Sequence, residues 1–366
     1  MTGKIVCENL KHQPMRSLLS FLLIGVPVNL ILCLVGLSTG MLEDSKDRQR
    51  AIGADVVVLA SSASAINASS AAALSDKIAD GLERLPHVRI ALGVFVKMAD
   101  FPNNIMGIDL PKFEQMSGGF RYLEGGPIHS PDDILIDDRY AAQKGKHAGD
   151  MLRLLNREWH IAGVVKHGKL ANIIAEKSVL QDLDSATGKV TNIFVKLDDP
   201  TRAEAAVAEF KSAMGPNYTI LTMEDFMARF DESNIPGVKA FRYVIMGIGV
   251  VIGFFVVSLS MYMAVLQRTR EIGILKSMGA SDSFVVGIIL SESLVLGIGG
   301  TLMGIIMSFG SWWLIGKLAP ASIPMVIVPS WWPIAGGITL VAAVLGGLYP
   351  GLKAAHHDTI QALAYE

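Results

Sequence analysis

Four stretches of this chain are long and apolar enough to cross a bilayer, and no other feature constrains its fold as much. A hydrocarbon core of roughly 30 Å takes about 20 consecutive apolar residues in a helix. Residues 18–42 carry no charge, with Asn29 as their one strongly polar side chain, and Pro27 is expected to kink them. Residues 243–266 are also uncharged, residues 284–315 contain one charge, Glu292, and residues 331–352 form the fourth stretch. A secretory signal imitates the first of these, but its apolar core spans only about 7–15 residues before a small-residue cleavage site. Here 25 residues run into the charged sequence EDSKDRQR, so the stretch reads as a retained span. Composition agrees. Charged residues make up 18% of the chain, against roughly 25% in an average soluble domain, and the mean hydropathy is +0.42. Disorder, collagen-like repeats and a disulfide scaffold are excluded. A net charge of −2 leaves no global basic footprint for nucleic acid.

Between the first two spans the composition changes. Residues 41–239 hold 28 acidic and 23 basic side chains, as an ordinary soluble domain does. The chain therefore divides into residues 1–42 (an N-terminal segment and span one), 43–239 (a large domain) and 240–366 (spans two to four). Orientation follows from Lys and Arg in short loops. Lys4, Lys11, Arg16, Arg268, Arg270, Lys276 and Lys353 fall on one side; the loop 316–330 on the other side holds only Lys317, and Arg242 sits at the outer edge of span two. Trp312-Trp313 and Trp331-Trp332 bracket that loop as interfacial anchors. Both termini are thus expected in the cytosol and the large domain outside, with Cys7 cytosolic and Cys33 within the membrane. The exported domain has no cysteine, so its core alone must stabilise it.

That domain reads as mixed α/β. Short strands are expected at 55–59, 134–136, 151–155, 160–165 and 193–197, and one or two at 88–98 with a break at Gly93. Helices are expected within 71–85, ending at Pro86, over 201–214, ending at Gly215-Pro216, and over 223–230, leading back to the membrane. The small-residue stretch 61–73 reads as a loop. Asp132-Asp133 and Asp137-Asp138 are expected to bracket a strand on a solvated face and not to form a catalytic carboxylate pair.

The loop between spans two and three, RTREIGILKSMGA at 268–280, is the most informative segment. Ile272, Leu275 and Met278 recur at helical spacing and form one apolar face. Gly279 stands where a helix closes with a left-handed residue, and Ser281 can cap the next helix with Asp282 in its first turn. Spacing alone leaves two readings open: a solvated connector, or a short helix presenting apolar and charged side chains to a partner.

The sequence REIGILKSMGA resembles the loop motif of the MacB/FtsX-type permeases of ABC transporters. ENLKHQPMRSLL at 8–19 is similar to the family's N-terminal pattern N-L-x-x-x-P-x-R-S-x-L, and YPGLKAAHHDTIQAL at 349–363 to its terminal pattern, with Gly351 for the usual Ala and Thr359 for the usual Pro. Tyr122-Leu-Glu-Gly-Gly126, Ile134-Leu-Ile-Asp137 and Gly149-Asp150 resemble the MacB-type periplasmic core domain. The resemblance implies a type VII permease subunit in a bacterial inner membrane: four transmembrane helices and a mixed α/β extracytoplasmic domain between helices one and two. It implies that 268–280 is a coupling helix docking on a separate ATPase subunit through Arg268, Glu271, Leu275, Lys276 and Gly279. It also implies a second permease chain, identical or paralogous, ATP and Mg bound by the ATPase, and mechanotransmission that exports or extracts an amphipathic or hydrophobic substrate. A periplasmic adaptor and outer-membrane channel are possible further partners. Three alternatives stay open: a lipoprotein-releasing permease, an FtsX-like regulator of cell-wall hydrolases, which usually has a smaller exported domain, and a membrane receptor without an ATPase.

Other patterns carry less. Glu292 lies about 12 Å into span three at 1.5 Å per residue, and a mid-membrane charge must face another helix or water, or be protonated; helix pairing and gating are both open. Gly249/Gly253, Gly300/Gly304 and Gly347/Gly351 have the spacing of close helix contacts. Gly36-Leu-Ser-Thr-Gly40 matches a hydrolase elbow but lies inside a span. No G-x-x-x-x-G-K-[ST] occurs, so P-loop ATP binding by this chain is not expected. His356-His357 reads as a solvated tail, and the membrane methionines as packing. On the coupling reading, replacing Glu271 and Lys276 together uncouples ATP hydrolysis from transport; unchanged transport in the double mutant counts against it.

Overall fold

Apolar length fixes the first element. Pro14–Arg50 form one helix, α1, with Pro27 inside it and no interruption there. The computed structural model describes residues 14–60, 74–100, 102–229, 238–267 and 269–355. Cys7, Arg268, the loop 61–73, His356-His357 and parts of both terminal motifs lie outside the described residues. Two units emerge: Gly40–Pro236 with Ile315–Pro324, and Met1–Thr39 with Gly237–Leu314 and Met325–Glu366.

The first unit is mixed α/β. Along the chain come β1 (Val56–Ala60), β2 (Leu74–Ser75), α2 (Lys77–Leu82), β3 (Val88–Asp100), β4 (Asn103–Ile108), α3 (Leu110–Ser117), β5 (Tyr122–Gly125) and β6 (Asp133–Asp137). Then follow α4 (Asp138–Lys144), β7 (Met151–Leu154), β8 (Arg157–Val165), β9 (Ile173–Glu176), α5 (Lys177–Leu183), β10 (Lys189–Val190), β11 (Asn192–Leu197), α6 (Ala203–Met214), β12 (Tyr218–Thr222) and α7 (Met223–Ala228). Ten strands form one sheet in the order β12-β1-β11-β3-β4-β9-β6-β8-β5, with β7 also paired to β8, and β10 with β2 form a separate ladder. Two pairs, β4/β9 and β6/β8, are parallel. The interior strands β1 (VVVLA) and β6 (DILID) are buried almost throughout. A strand covered on both faces reads as a continuous apolar run, as β1 does.

Two expectations need correction. β3 runs thirteen residues straight through Gly93. The glycine makes room instead of a break: a β-carbon there would lie 2.3 Å from the Asp76 carboxylate and 3.0 Å from Val190. The aspartates around β6 do not all sit on a solvated face either: Asp132 is exposed and Asp138 half-buried, but the other two are not. Asp133 and Asp137 are buried, and the carboxylates are fully engaged. Asp133 accepts from the His129 and Ser130 amides and pairs with His160 at 2.8 Å.

Asp137 holds the end of α1. Its Oδ2 accepts from the Arg48 guanidinium at 3.0 Å and from Asn172 at 3.1 Å, and its Oδ1 caps α4 by accepting from the Tyr140 amide at 2.7 Å. Arg48 also pairs with Asp44 at 2.6 Å, and Asp44 with Arg139 at 2.9 Å. The Arg48 and Asp137 side chains are only 8% and 2% exposed. Burial pushes the Asp137 carboxyl above the usual carboxylate range, and the Arg48 charge and the Tyr140 amide limit that rise.

The segment Ile315–Pro324 also belongs to this unit, although it joins two apolar helices. The Gln143 carboxamide oxygen accepts from the Ala321 and Ser322 amides, both at 3.1 Å. Its nitrogen donates to the Ser322 hydroxyl at 2.7 Å, as Asn103 does at 3.1 Å. Ala321 is buried in the cluster that contains Phe95, Tyr140 and Trp159.

The second unit is helical. With α1 it contains α8 (Val238–Gln267), α9 (Thr269–Ser277), α10 (Asp282–Leu318) and α11 (Trp332–Ala355). Among the described residues four helices, α1, α8, α10 and α11, are long and apolar enough to cross a membrane. Small residues let them touch. A β-carbon on Gly300 would lie 2.3 Å from Ile24, and one on Gly304 2.5 Å from Val28, so α10 lies against α1. Gly347 stands as close to Ser293, joining α11 to α10, and Gly346 approaches the Phe254 carbonyl, joining α11 to α8. Gly253 meets Ala342 at 3.3 Å, whereas Gly351 makes only ordinary contact with Ile289. The expected close approach thus holds most firmly at Gly300/Gly304. Asn29 accepts from the Ser311 hydroxyl at 3.2 Å, and the Ser20 and Ser260 hydroxyls meet at 2.9 Å. Gly36 is the site of another close approach. Its carbonyl accepts from the Val326 amide at 3.1 Å, and a β-carbon on it would lie 2.3 Å from the Val326 oxygen.

Two predictions follow from these contacts. Gly36→Ala forces backbone against backbone, costing about 1–3 kcal/mol as core overpacking does, and lowers the thermal midpoint of the solubilised protein; Gly310→Ala, with open space around it, leaves the midpoint unchanged. Arg48→Met strands a buried carboxylate, at about 3–5 kcal/mol. Without Arg48 the folded-state pKa of Asp137 rises further, so folding takes up a proton and the deficit shrinks as the medium is acidified through that pKa. Unfolding midpoints compared at about pH 8 and about pH 5 check this; an equal deficit at both contradicts it.

Candidate coupling site

The turn between α8 and α10 is built from the residues the spacing singled out. α9 closes in a Schellman turn: Gly279 takes φ +94°, its amide bonds the Lys276 carbonyl at 3.0 Å, and the Ala280 amide bonds the Leu275 carbonyl at 3.0 Å. Ser281 then caps α10, its hydroxyl accepting from the Phe284 amide at 3.3 Å, and Asp282 stands in the first turn, at the positive end of the helix dipole. Four residues, 278–281, therefore join the two helices.

The apolar face does not stay together. Ile272 packs against the cluster formed by Val257, Met261, Val265 and Val285 among others, and Leu275 is half-buried. Met278 is 71% exposed, and Ile274, which the spacing did not single out, is 43% exposed. The outward apolar pair is thus Ile274 and Met278, four residues apart. An apolar α9 position one turn from Met278 was the available signal.

Lys276 points along the chain's own helices. Its ammonium pairs with Asp282 at 3.1 Å and donates to the Ala355 backbone carbonyl at the end of α11, and its side chain is 17% exposed. Gly279 is exposed. Glu271 lies on α9, but its side chain, like all of Arg268, lies outside the described residues. The structure thus brings Leu275, Lys276 and Gly279 into one short segment. Glu292 lies elsewhere, buried at 7% exposure on the stripe of α10 that carries Ile289, Ser293, Leu296 and Gly300. Beside α9, the Lys353 ammonium of α11 lies 5.1 Å from the centre of the Tyr262 ring of α8. Among the described residues no group of three or more His, Cys, Asp or Glu side chains could hold a metal ion.

Comparison with known sequences gives two family matches. The FtsX-like permease C-terminal family matches residues 243–359, and the MacB-like periplasmic core domain matches residues 17–213. The chain is 28% identical over 271 residues to the uncharacterized ABC transporter permease YknZ of Bacillus subtilis, covering 67% of this chain and 66% of that one. It is 34% identical over 137 residues to the ABC transporter permease YtrF of the same organism, covering 32% and 30%. To the macrolide export ATP-binding/permease protein MacB of Rhodopirellula baltica it is 28% identical over 190 residues, 49% of this chain and 27% of that one. The matches therefore span less than two thirds of the length of these relatives. Among solved structures, the periplasmic region of MacB from Actinobacillus actinomycetemcomitans aligns at a TM-score of 0.39 and 17% identity, over 51% of this chain and 97% of that one. With both matched domains in one chain and four apolar helices around them, the protein belongs to the MacB/FtsX-type family of ABC transporter permeases.

Proposed function

We propose that the chain is the permease subunit of an ABC transporter in which a separate ATPase docks on α9 and drives the α/β domain by mechanotransmission. The observation that carries this reading is the pair Ile274 and Met278, exposed at the end of a nine-residue helix whose other apolar side chains, Ile272 and Leu275, are packed against the bundle and half-buried. An exposed apolar pair on a short helix held between two long ones suits a groove on a soluble partner. A push on α9 travels along α8 to the α/β domain and along α10 to the segment that Gln143 grips. The basic residues of the short loops support a cytosolic α9 and an α/β domain on the far side. One chain supplies one such helix, so two permease chains pair with two ATPase subunits, which bind the ATP and Mg. The work done on the far side is extraction or export of an amphipathic or hydrophobic substrate, with an adaptor and outer channel as further partners in a two-membrane cell.

The test is binding of the cognate ABC ATPase to the full-length permease in nanodiscs. Ile274→Glu together with Met278→Glu removes two apolar anchors at about 2 kcal/mol each and weakens binding by roughly 100-fold or more. Both side chains are exposed, so the thermal midpoint of the permease stays where it was. Undiminished ATPase binding by the double variant overturns the reading.

A further inference from the structure

Lys276 stands in the loop motif beside the exposed pair, and its sequence position suggests a charge offered to the docking partner. Its surroundings say otherwise. The side chain is 17% exposed, and its ammonium is held between a carboxylate and a carbonyl that belong to two different helices. Each partner has a reason to hold a cation. Ala355 is the last described residue of α11, and its backbone carbonyl oxygen, turned to the ammonium, carries the negative end of its peptide dipole. Asp282 is the first residue of α10, and its carboxylate suits that helix's positive end. One ammonium with three donors meets both demands at once.

The ion pair also spans a weak point. Between Lys276 and Asp282 the chain turns at Gly279, which has φ +94° and nothing within 4 Å of where a β-carbon would sit. The Schellman bonds hold the glycine's own backbone, but among the described residues no other element packs over it. The stiffness of the connection between α9 and α10 therefore depends on the groups that flank the turn.

We propose that Lys276 is a positioning residue: it braces α9 across the Gly279 turn to the start of α10 and to Ala355 of α11, so that displacement of α9 reaches both helices. It does not contact the docked ATPase. This deepens the coupling reading, and its consequence for transport rests on that reading, but the brace itself belongs to the permease chain alone.

The test therefore has an arm without a partner. Amide hydrogen exchange is followed on the full-length permease in nanodiscs. Lys276→Met, which keeps the apolar stem, speeds exchange of residues 351–355 of α11 and of the first turn of α10 by roughly tenfold. Lys276→Arg keeps the donors and holds exchange near that of the unaltered chain. Asp282→Asn, at an exposed position, speeds exchange around the turn but spares residues 351–355. In the second arm Lys276→Met binds the cognate ATPase within about threefold of the unaltered chain, while the Ile274/Met278 double variant does not bind. Unchanged exchange in both Lys276→Met and Asp282→Asn overturns the proposal, and so does a loss of ATPase affinity by Lys276→Met without faster exchange. If the unaltered chain binds no ABC ATPase, the coupling reading fails, and the exchange arm still decides the brace.

Discussion

The helical unit rests on backbones that approach one another through glycine. In hydrocarbon, apolar side chains gain little by leaving lipid for each other, so association of helices depends on close packing and on a few hydrogen bonds. Gly300 and Gly304 bring α10 against Ile24 and Val28 of α1, and Gly346 and Gly347 bring α11 against α8 and α10. The serine pair Ser20/Ser260 and the Asn29–Ser311 bond fasten the same crossings with polar groups. Where α8, α10 and α11 end is thereby fixed. Lys276 can reach Asp282 and Ala355 together only because those ends are held side by side.

The α/β unit depends on charge in a different way. Arg48 and Asp137 are both buried, an arrangement that stabilises only when every remaining lone pair and proton finds a partner. Asp137 meets that condition by serving the guanidinium, Asn172 and the first turn of α4 simultaneously, whereas Nη1 of Arg48 is buried with no hydrogen-bond partner among the described residues. The last turns of α1 are thereby seated in the domain core. Gln143, on the same α4, holds the segment that links α10 to α11. The C-terminal turns of α1 and a short connecting loop are thus both anchored around one small helix, α4.

Much of this was legible in residue order. Uncharged length marks the spans, a change in charge density marks the domain between them, and Gly279 followed by Ser281-Asp282 marks a helix stop and the next helix start. These signals are local: each depends on a run of neighbours and on backbone chemistry. The signals that failed were those that depend on distant partners. Gly93 reads as a break because glycine ends strands in isolation, and it proves to be clearance for Asp76 and Val190. Asp133 and Asp137 read as solvated because aspartate usually is, and they are buried against partners from elsewhere in the chain, His160 for the one and Arg48 for the other. Gly36, set aside as a false hydrolase elbow, is the place where the segment after the 315–324 loop lies against α1.

The sequence by itself determined four apolar helices, a mixed α/β domain between the first two and a short amphipathic helix between the second and third. Hydrophobic length, charge density and capping chemistry are properties of contiguous residues. Only the tertiary structure decided which side of that short helix faces outward. It turned Ile272 into the bundle, left Ile274 and Met278 exposed, and drew Lys276 inward. The physical reason is that a side chain's role on a helix of nine residues depends on what stands opposite. For Lys276 that is an aspartate six residues on and a carbonyl near the far end of the chain, brought there by the packing of the long helices.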